Sequence, residues 1–189
     1  LLDIPFTQAG QHKGGRQAEL QRVGMQKALF SSPAAALEST FKRMEMLRGK
    51  PGTTPEEARE IEGLEAFAHT LRTLTADATA PHFSKYQRLL QQLRCTEFGW
   101  QLNHAQDRLV IFSERIETLR WLEKQLGQDL GLKSNQVAVL HGQMSDTEQQ
   151  NLVDRFGRLD DPIRVLLCSD VASEGLNLHY FCHRLIHFD

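Results

Sequence analysis

The sequence is poor in three things that would otherwise direct its reading: cysteine, net charge and long apolar runs. Its 189 residues include 3 cysteines, Cys95, Cys168 and Cys182, and no CxxC pair. A scattered, odd-numbered set cannot make a disulfide framework and reads as free thiols in a reducing, cytoplasmic compartment. The 22 Lys and Arg stand against 24 Asp and Glu, a formal charge of −2. Bulk attraction to a phosphate backbone is therefore absent, and any nucleic-acid contact must be local. The apolar runs, of which Arg164 to Cys168 is typical, are far too short to cross a bilayer. No basic, apolar, small-residue leader opens the chain. It also lacks an initiator Met and stops at a strand-like Phe188-Asp189, so we expect a piece of a larger protein. What remains, 40% hydrophobic and 24% charged residues, is the balance of a folded globular chain that needs neither disulfide nor metal to hold a core.

Two textures divide the chain. Residues 1 to about 105 read as helical, and residues 106–189 switch to short apolar runs alternating with helical periodicity. In the first part Ser32 and Pro33 are a helix cap and first-turn proline, Leu37, Phe41 and Met44 share a face, and Gly49 is the stop. The loop KPGTT (50–54) precedes Thr54-Pro55-Glu56-Glu57, whose acids suit the positive end of a new helix. Ile61, Leu64, Ala68 and Leu71 form its apolar face, and SKYQRLLQQL (84–93) is another short amphipathic helix. The second part runs strand 109–112, helix 116–126, strand 137–140, helix 145–156, strand 163–168 and strand 184–188. Continuous apolar strands separated by helices imply an α/β fold with a parallel sheet covered on both faces. Ser145-x-x-Glu148 is a capping box that fixes one helix start.

In such sheets ligands lie beyond the carboxyl ends of the strands. The residues there are Ser113-Glu114, His141-Gly142-Gln143, Ser169-Asp170 with Ser173-Glu174-Gly175, and Asp189. Glycines let backbone N–H groups approach a ligand, and helix starts present free donors, a combination that suits phosphate oxygens. The same residues also serve any α/β domain as ordinary turns and caps.

The segments RLVIFSERIETLRWLEKQL (108–126), VAVLHGQMSDTEQQNLVDRF (137–156) and RVLLCSDVASEGLNLHYFCHRLIHFD (164–189), in that order, resemble motifs IV, IVa, V and Va of the second RecA-like domain of superfamily 2 helicases. The DVASEGLNL form looks most like SWI/SNF-related ATPases, particularly the bacterial HepA/RapA-like branch. ALFSSPA (28–34) and SKYQRLLQQL are similar to the helical stretch that precedes motif IV there. The resemblance implies a RecA-like parallel sheet with flanking helices, of P-loop NTPase type, preceded by a helical segment. It implies that Ser113, His141, Gly142, Ser169 and Ser173 lie along a nucleic-acid strand. Glu174, Gly175, Asn177 and Asp170 would face ATP and Mg2+ held against the first RecA-like domain of the same parent. The implied partners are that domain, double-stranded DNA, and other proteins through the helical segment, with no membrane.

Departures from the family pattern are as informative. Gln149 stands where many relatives carry an Arg, and Arg155 is the candidate replacement. No GxxxxGKS or GxxxxGKT occurs, since GQDLGLKS (127–134) has the wrong spacing, and no DExx or DExH follows a strand. Motif VI would begin beyond Asp189. The chain alone is therefore expected to hold no catalytic residue, to bind ATP weakly and not to hydrolyse it.

Competing constellations are weaker. His179, Cys182, His183 and His187 have zinc-like spacing, but a strand sends alternate side chains to opposite faces, so no metal site is expected. Trp100 and Trp121 read as core rather than base-stacking platforms. Arg16, Arg22, Lys27, Lys42, Arg43 and Arg48 read as a solvated face because glutamates are interspersed. Three readings stay open: a SWI/SNF-related translocase piece, a non-enzymatic α/β interaction module, and a DEAD-box-like RNA helicase domain. The apolar ending 184–189 also predicts self-association.

Overall fold

A computed structural model of the chain describes residues 3–7, 16–76, 83–170 and 182–189. They belong to two compact units, Leu1–Phe83 and Ser84–Asp189.

The described residues of the first unit form three helices, α1 (Arg16–Ser31), α2 (Pro33–Arg48) and α3 (Pro55–Ala76), with α2 packed on both others. Ser32 starts α2 as its sequence predicts: its hydroxyl accepts the Ala35 N–H at 3.0 Å and Pro33 fills the first turn. The loop that follows turns at Gly52, whose φ of +79° favours glycine. α3 opens on a reciprocal cap, with the Thr54 N–H donating to the Glu57 carboxylate at 3.0 Å and the Glu57 N–H to the Thr54 hydroxyl at 3.2 Å. Leu64, Ala68 and Leu71 of the expected α3 face are buried.

The face of α2 differs from its sequence reading. Leu37 and Phe41 are half-buried, whereas the polar Thr40 and Arg43 are buried beside Met44 and Leu47. Partners elsewhere make this burial tolerable. The Thr40 hydroxyl donates to the Ala36 carbonyl at 2.7 Å. Arg43 Nε donates to Glu60 Oε1 of α3 at 2.7 Å, with both side chains almost fully buried. The Arg43 Nη2 also donates to the Thr7 carbonyl at 2.8 Å, and the Thr7 N–H donates to Glu60 Oε2 at 2.7 Å. This network holds the segment carrying Ile4 and Phe6 into a core with Met25, Met44, Leu47 and Leu64. Each fully buried leucine there contributes roughly 2 kcal/mol.

The second unit comprises α4 (Ser84–Arg94), β1 (Arg108–Phe112), α5 (Ile116–Asp129), β2 (Val137–Leu140), α6 (Asp146–Phe156), β3 (Val165–Cys168) and β4 (Cys182–His187). All pairings in its four-stranded sheet are parallel, in the order β2-β3-β1-β4. β1 and β3 are buried along their whole length, as their unbroken apolar runs require when both faces are covered. Val110, Phe112, Leu140, Leu166 and Cys168 pack with Leu152, Val153 and Phe156 of α6. The alternate residues Leu109, Ile111, Val165 and Leu167, also buried, point to the opposite face.

Two strand starts shift by two residues from their sequence reading. Ile163 and Arg164 stay out of β3 because the Asp161 carboxylate takes the Ile163 N–H at 3.2 Å and the Gln136 carbonyl takes both the Arg164 and Val165 N–H groups. β4 begins earlier, at Cys182, and carries a register shift opposite Arg108 and Leu109. α4 docks through Tyr86, whose hydroxyl donates to Asp129 Oδ2 of α5 at 2.6 Å and whose ring meets Trp121 edge-on at 5.0 Å. Trp100 is buried and donates to the Asp107 carbonyl at 3.1 Å. Both tryptophans are therefore packing residues.

Arg108, at the start of β1, is fully buried and donates to the carbonyls of Ala105, Arg155, Phe156, Arg158 and Asp161. It closes the carboxyl end of α6 and the turn after it. Replacing it by Met strands several of these acceptors, and each buried orphan costs about 1–3 kcal/mol. We expect Arg108→Met to destabilise the second unit by about 3 kcal/mol or more. The two tryptophans, both in this unit, report it by fluorescence in urea. An unmoved midpoint would show that water replaces the guanidinium without cost.

Candidate nucleic-acid interface

The site is built by strand register. Leu140, Cys168, Phe112 and His187 stand level across the sheet, each the last residue of its strand. The ladder then runs one step further: Ser169 N–H donates to the Leu140 carbonyl at 2.9 Å, Ser113 N–H to Cys168 at 3.0 Å and Phe188 N–H to Phe112 at 2.9 Å. Ser113, Ser169 and the turn starting at His141 thus form a row along the carboxyl edge. The chain leaves β1 toward β2 and leaves β3 toward β4, in opposite directions across the sheet. The crevice where such connections diverge is where open α/β sheets take ligands. Ser113 and Ser169 flank it.

The polar state of the row is unusual. Ser113 is 1% exposed, yet its hydroxyl has no hydrogen-bond partner among the described residues, and neither does the buried Nδ1 of His141. Buried polar atoms are nearly always paired, so two orphans in one row mark a place where a ligand can complete the bonding. His141 begins a turn closed by the Met144 N–H donating to its carbonyl at 3.1 Å, and Gly142 is exposed at the tip. Ser145 then caps α6: its hydroxyl accepts the Glu148 N–H at 3.3 Å while its own N–H donates to Glu148 Oε2 at 2.8 Å. The sequence-predicted capping box is present and fixes the turn.

Of the other expected contacts, Ser169 is buried at the end of β3 and Asp170 is exposed just beyond it. Ser173, Glu174, Gly175 and Asn177 lie outside the described residues. The free donors expected near Ser113 are partly taken, because the Glu114 N–H donates to the Asp189 carboxylate, which faces Lys85 Nζ at 3.9 Å. Lys85 is the residue sequence reasoning missed here: it sits in an amphipathic helix far from the strand ends in sequence. Its ammonium lies 4.4 Å from the Phe188 ring centre, and burial pulls its pKa down.

Arg155 does not replace the missing arginine at Gln149. It sits in the last turn of α6, at the opposite edge of the sheet, with Nε donating to Asp161 Oδ2 at 2.9 Å. Gln149 is half-buried and donates to the Met144 carbonyl at 3.0 Å.

Of the zinc-like residues, His179 lies outside the described residues, and His187 stacks on Phe112 at 5.2 Å. Among the described residues no three His, Cys, Asp or Glu side chains are grouped to hold a metal ion. Burial pushes the Cys168 thiol far up, away from a reactive thiolate. On the helical unit Lys42 pairs with Glu38, Arg48 with Glu65 and Arg43 with Glu60, so its basic residues are largely engaged by the interspersed glutamates. Among the described residues no helix is long and apolar enough to cross a membrane.

A four-stranded parallel sheet with flanking helices and a level row of turns at its carboxyl edge defines a domain of RecA-like architecture. Residues 84–189 match the family model of the helicase conserved C-terminal domain, and the chain belongs to that family. It is 31% identical over 91 residues to the RNA polymerase-associated protein RapA of Cronobacter sakazakii, covering 48% of this chain and 9% of that protein. It is 38% identical over 76 residues to the ATP-dependent RNA helicase DRS1 of Kluyveromyces lactis, covering 40% of this chain and 9% of that one. The matched stretch thus spans about a tenth of either relative. Among solved structures, the Sulfolobus solfataricus SWI2/SNF2 ATPase C-terminal domain aligns at a TM-score of 0.46 and 16% identity, covering 90% of this chain and 67% of that one. The C-terminal part of the Fun30 ATPase domain aligns at 0.45 and 16%, covering 95% and 64%.

The capping box makes a pH prediction. Hydrogen bonds from the Ser145 N–H and hydroxyl hold the Glu148 carboxyl below its usual 4.5. A group whose folded value is depressed stabilises the fold above its ordinary pKa and loses that contribution as pH falls through the folded value. Amide protection in the first turn of α6 should therefore drop as pH falls below about 4.5. Glu148→Gln should abolish this acid step, and an identical step in the variant would assign it to another carboxylate.

Proposed function

We propose that the chain is the second RecA-like half of a SWI/SNF-related, ATP-dependent nucleic-acid translocase, supplying one wall of an ATP cleft and part of the groove that tracks double-stranded DNA. The observation that carries this is the row of Ser113, His141 and Ser169, with the Ser113 hydroxyl and His141 Nδ1 buried and unpartnered among the described residues. Those groups fit phosphate oxygens: the hydroxyl can donate, and an imidazole nitrogen can donate when protonated. The matched stretch of the RapA protein supports the SWI/SNF-related branch.

In this reading Gly142 lets the His141 turn come close to the strand, and Ser173 joins the phosphate contacts. Asp170, Glu174, Gly175 and Asn177 face the nucleotide. ATP and Mg2+ supply the phosphoryl chemistry when bound between this domain and the first RecA-like domain of the parent. This chain contains no GxxxxGKS or GxxxxGKT to cradle phosphates by itself. A loop that touches both ligands couples closure on nucleotide to movement along the strand. The 38% identity to an RNA helicase favours one second reading, a DEAD-box-like RNA helicase domain.

The test titrates the chain with duplex DNA, single-stranded DNA and single-stranded RNA over a range of salt. We expect duplex DNA to bind best and salt to weaken it. Ser113→Ala with Ser169→Ala removes two neutral contacts worth roughly 0.5–1.5 kcal/mol each, so affinity should fall about tenfold while the salt slope stays the same. Preference for RNA would move the chain to the second reading. Binding that ignores the double variant would remove the row from the interface, and no binding of any nucleic acid would favour an interaction module without enzymatic partners.

A further inference from the structure

His141 differs from the two serines of the row in that it can change charge. A serine hydroxyl stays neutral, whereas imidazole is the side chain that gains or loses a proton between about pH 5 and pH 8. The chain as a whole does not attract a phosphate backbone, with 22 Lys and Arg against 24 Asp and Glu. Attraction at the row has to come from charge placed there, and a protonated His141 supplies it.

The backbone under the ring is fixed. His141 directly follows β2, the Met144 N–H closes its turn at 3.1 Å, and the capping box of Ser145 and Glu148 holds the far side. The residue is half-buried, so solvent protons reach it, yet its Nδ1 is buried without a partner among the described residues. A neutral imidazole carries one N–H and one lone pair, and a phosphate oxygen only accepts. A phosphate at Nδ1 therefore requires a proton there, and the imidazolium makes the stronger, charge-assisted bond. The charged neighbours favour that form. α6 carries Asp146 and Glu148 in its first turn. The Glu148 carboxyl, held low chiefly by the Ser145 N–H and hydroxyl, is lowered further by the His141 ring, and that attraction is mutual. From β3 the neighbours are the neutral Ser169 and, just beyond it, the exposed Asp170.

We propose that His141 is a proton-linked phosphate contact: its ring takes one proton from solvent as a nucleic-acid strand docks and returns it on release. This rests on the reading of the row as a nucleic-acid surface. Proton and strand then bind cooperatively, each favouring the other by the same factor. The grip tightens as the solution becomes more acid across the imidazole range.

The test titrates duplex DNA into the full 189-residue chain near the acid and alkaline ends of that range, each over a series of salt concentrations. Affinity should be about tenfold higher at about pH 6 than at about pH 8, within the limit that uptake of one proton sets. The salt slope should steepen by about 0.9 at the lower pH, as one further phosphate is neutralised. His141→Asn attaches an amide nitrogen where Nδ1 is attached, but the amide does not titrate. Its affinity and salt slope should therefore be the same at both pH values, with circular dichroism checking that it is folded. Nitrogen NMR of the histidine rings reads the proton directly in the unaltered chain. The His141 ring, assigned by the resonance the variant lacks, should pass from neutral to imidazolium shifts when duplex is added near neutral pH. Equal affinity at both pH values overturns the proposal and leaves the row standing as a binding surface. So does a pH dependence that His141→Asn retains, or a ring that stays neutral in the complex. Absence of DNA binding at both pH values overturns the reading of the row and this inference with it.

Discussion

The second unit depends on a positive charge kept inside it. An isolated guanidinium in an apolar interior would carry a large desolvation cost, and Arg108 is fully buried. It is stable there because five carbonyl oxygens converge on its fork, four of them from the end of α6 and the turn that leads to β3. Phe156 lies beneath it, with the guanidinium carbon 5.4 Å from the ring centre. These carbonyls are the acceptors a helix leaves unsatisfied at its carboxyl end. One residue at the first position of β1 therefore sets where α6 stops relative to the sheet. The level strand ends at the opposite edge are set by the parallel register of the four strands.

A second polar knot lies beside it. Asp107 accepts the Gln101 N–H at 2.7 Å through its carboxylate, accepts Trp100 through its carbonyl and pairs with Arg184 of β4. Arg184 in turn gathers the carbonyls of Phe98 and Gly99. The irregular stretch between α4 and β1 is thus held by side chains where it has no ladder of its own, which answers where its backbone hydrogen bonds go.

The parts of this fold legible in the sequence are those whose cause is local. A run such as Val165 to Cys168 is apolar at every position only if both faces are covered, and Ser145 with Glu148 writes a helix start in four residues. The buried polar residues were not legible. Arg43 looks like a solvated basic residue until Glu60, 17 positions on, comes alongside it. Arg108 looks like the charged margin of a strand, and its acceptors lie up to 53 residues away. In both, tertiary partners reverse the usual preference of arginine for the surface. The candidate site is legible in position, because Ser113, His141 and Ser169 directly follow apolar runs. Its polar state is not, since whether the Ser113 hydroxyl is satisfied depends on which strand ends lie beside it. The rejection of Arg155 had the same origin: periodicity places it on α6 but does not tell which end of the sheet that helix turn reaches.

The contrast between the two ends of the sheet bears on where function can reside. At the amino edge Arg108 and Arg155 bond to Asp161, and Asp107 takes the Gln101 N–H and pairs with Arg184, so a ligand arriving there would have to break existing bonds before making its own. At the carboxyl edge the backbone ladder is complete through Ser113 and Ser169, yet the Ser113 hydroxyl and His141 Nδ1 are left without partners among the described residues. Bonding to those groups breaks no hydrogen bond they make within the described fold and offsets the desolvation that folding imposed on them. The asymmetry also separates rigidity from recognition: the satisfied edge fixes the geometry, and the unsatisfied edge keeps its bonding capacity in reserve. The phosphate backbone proposed as the ligand offers several acceptor oxygens to such a row.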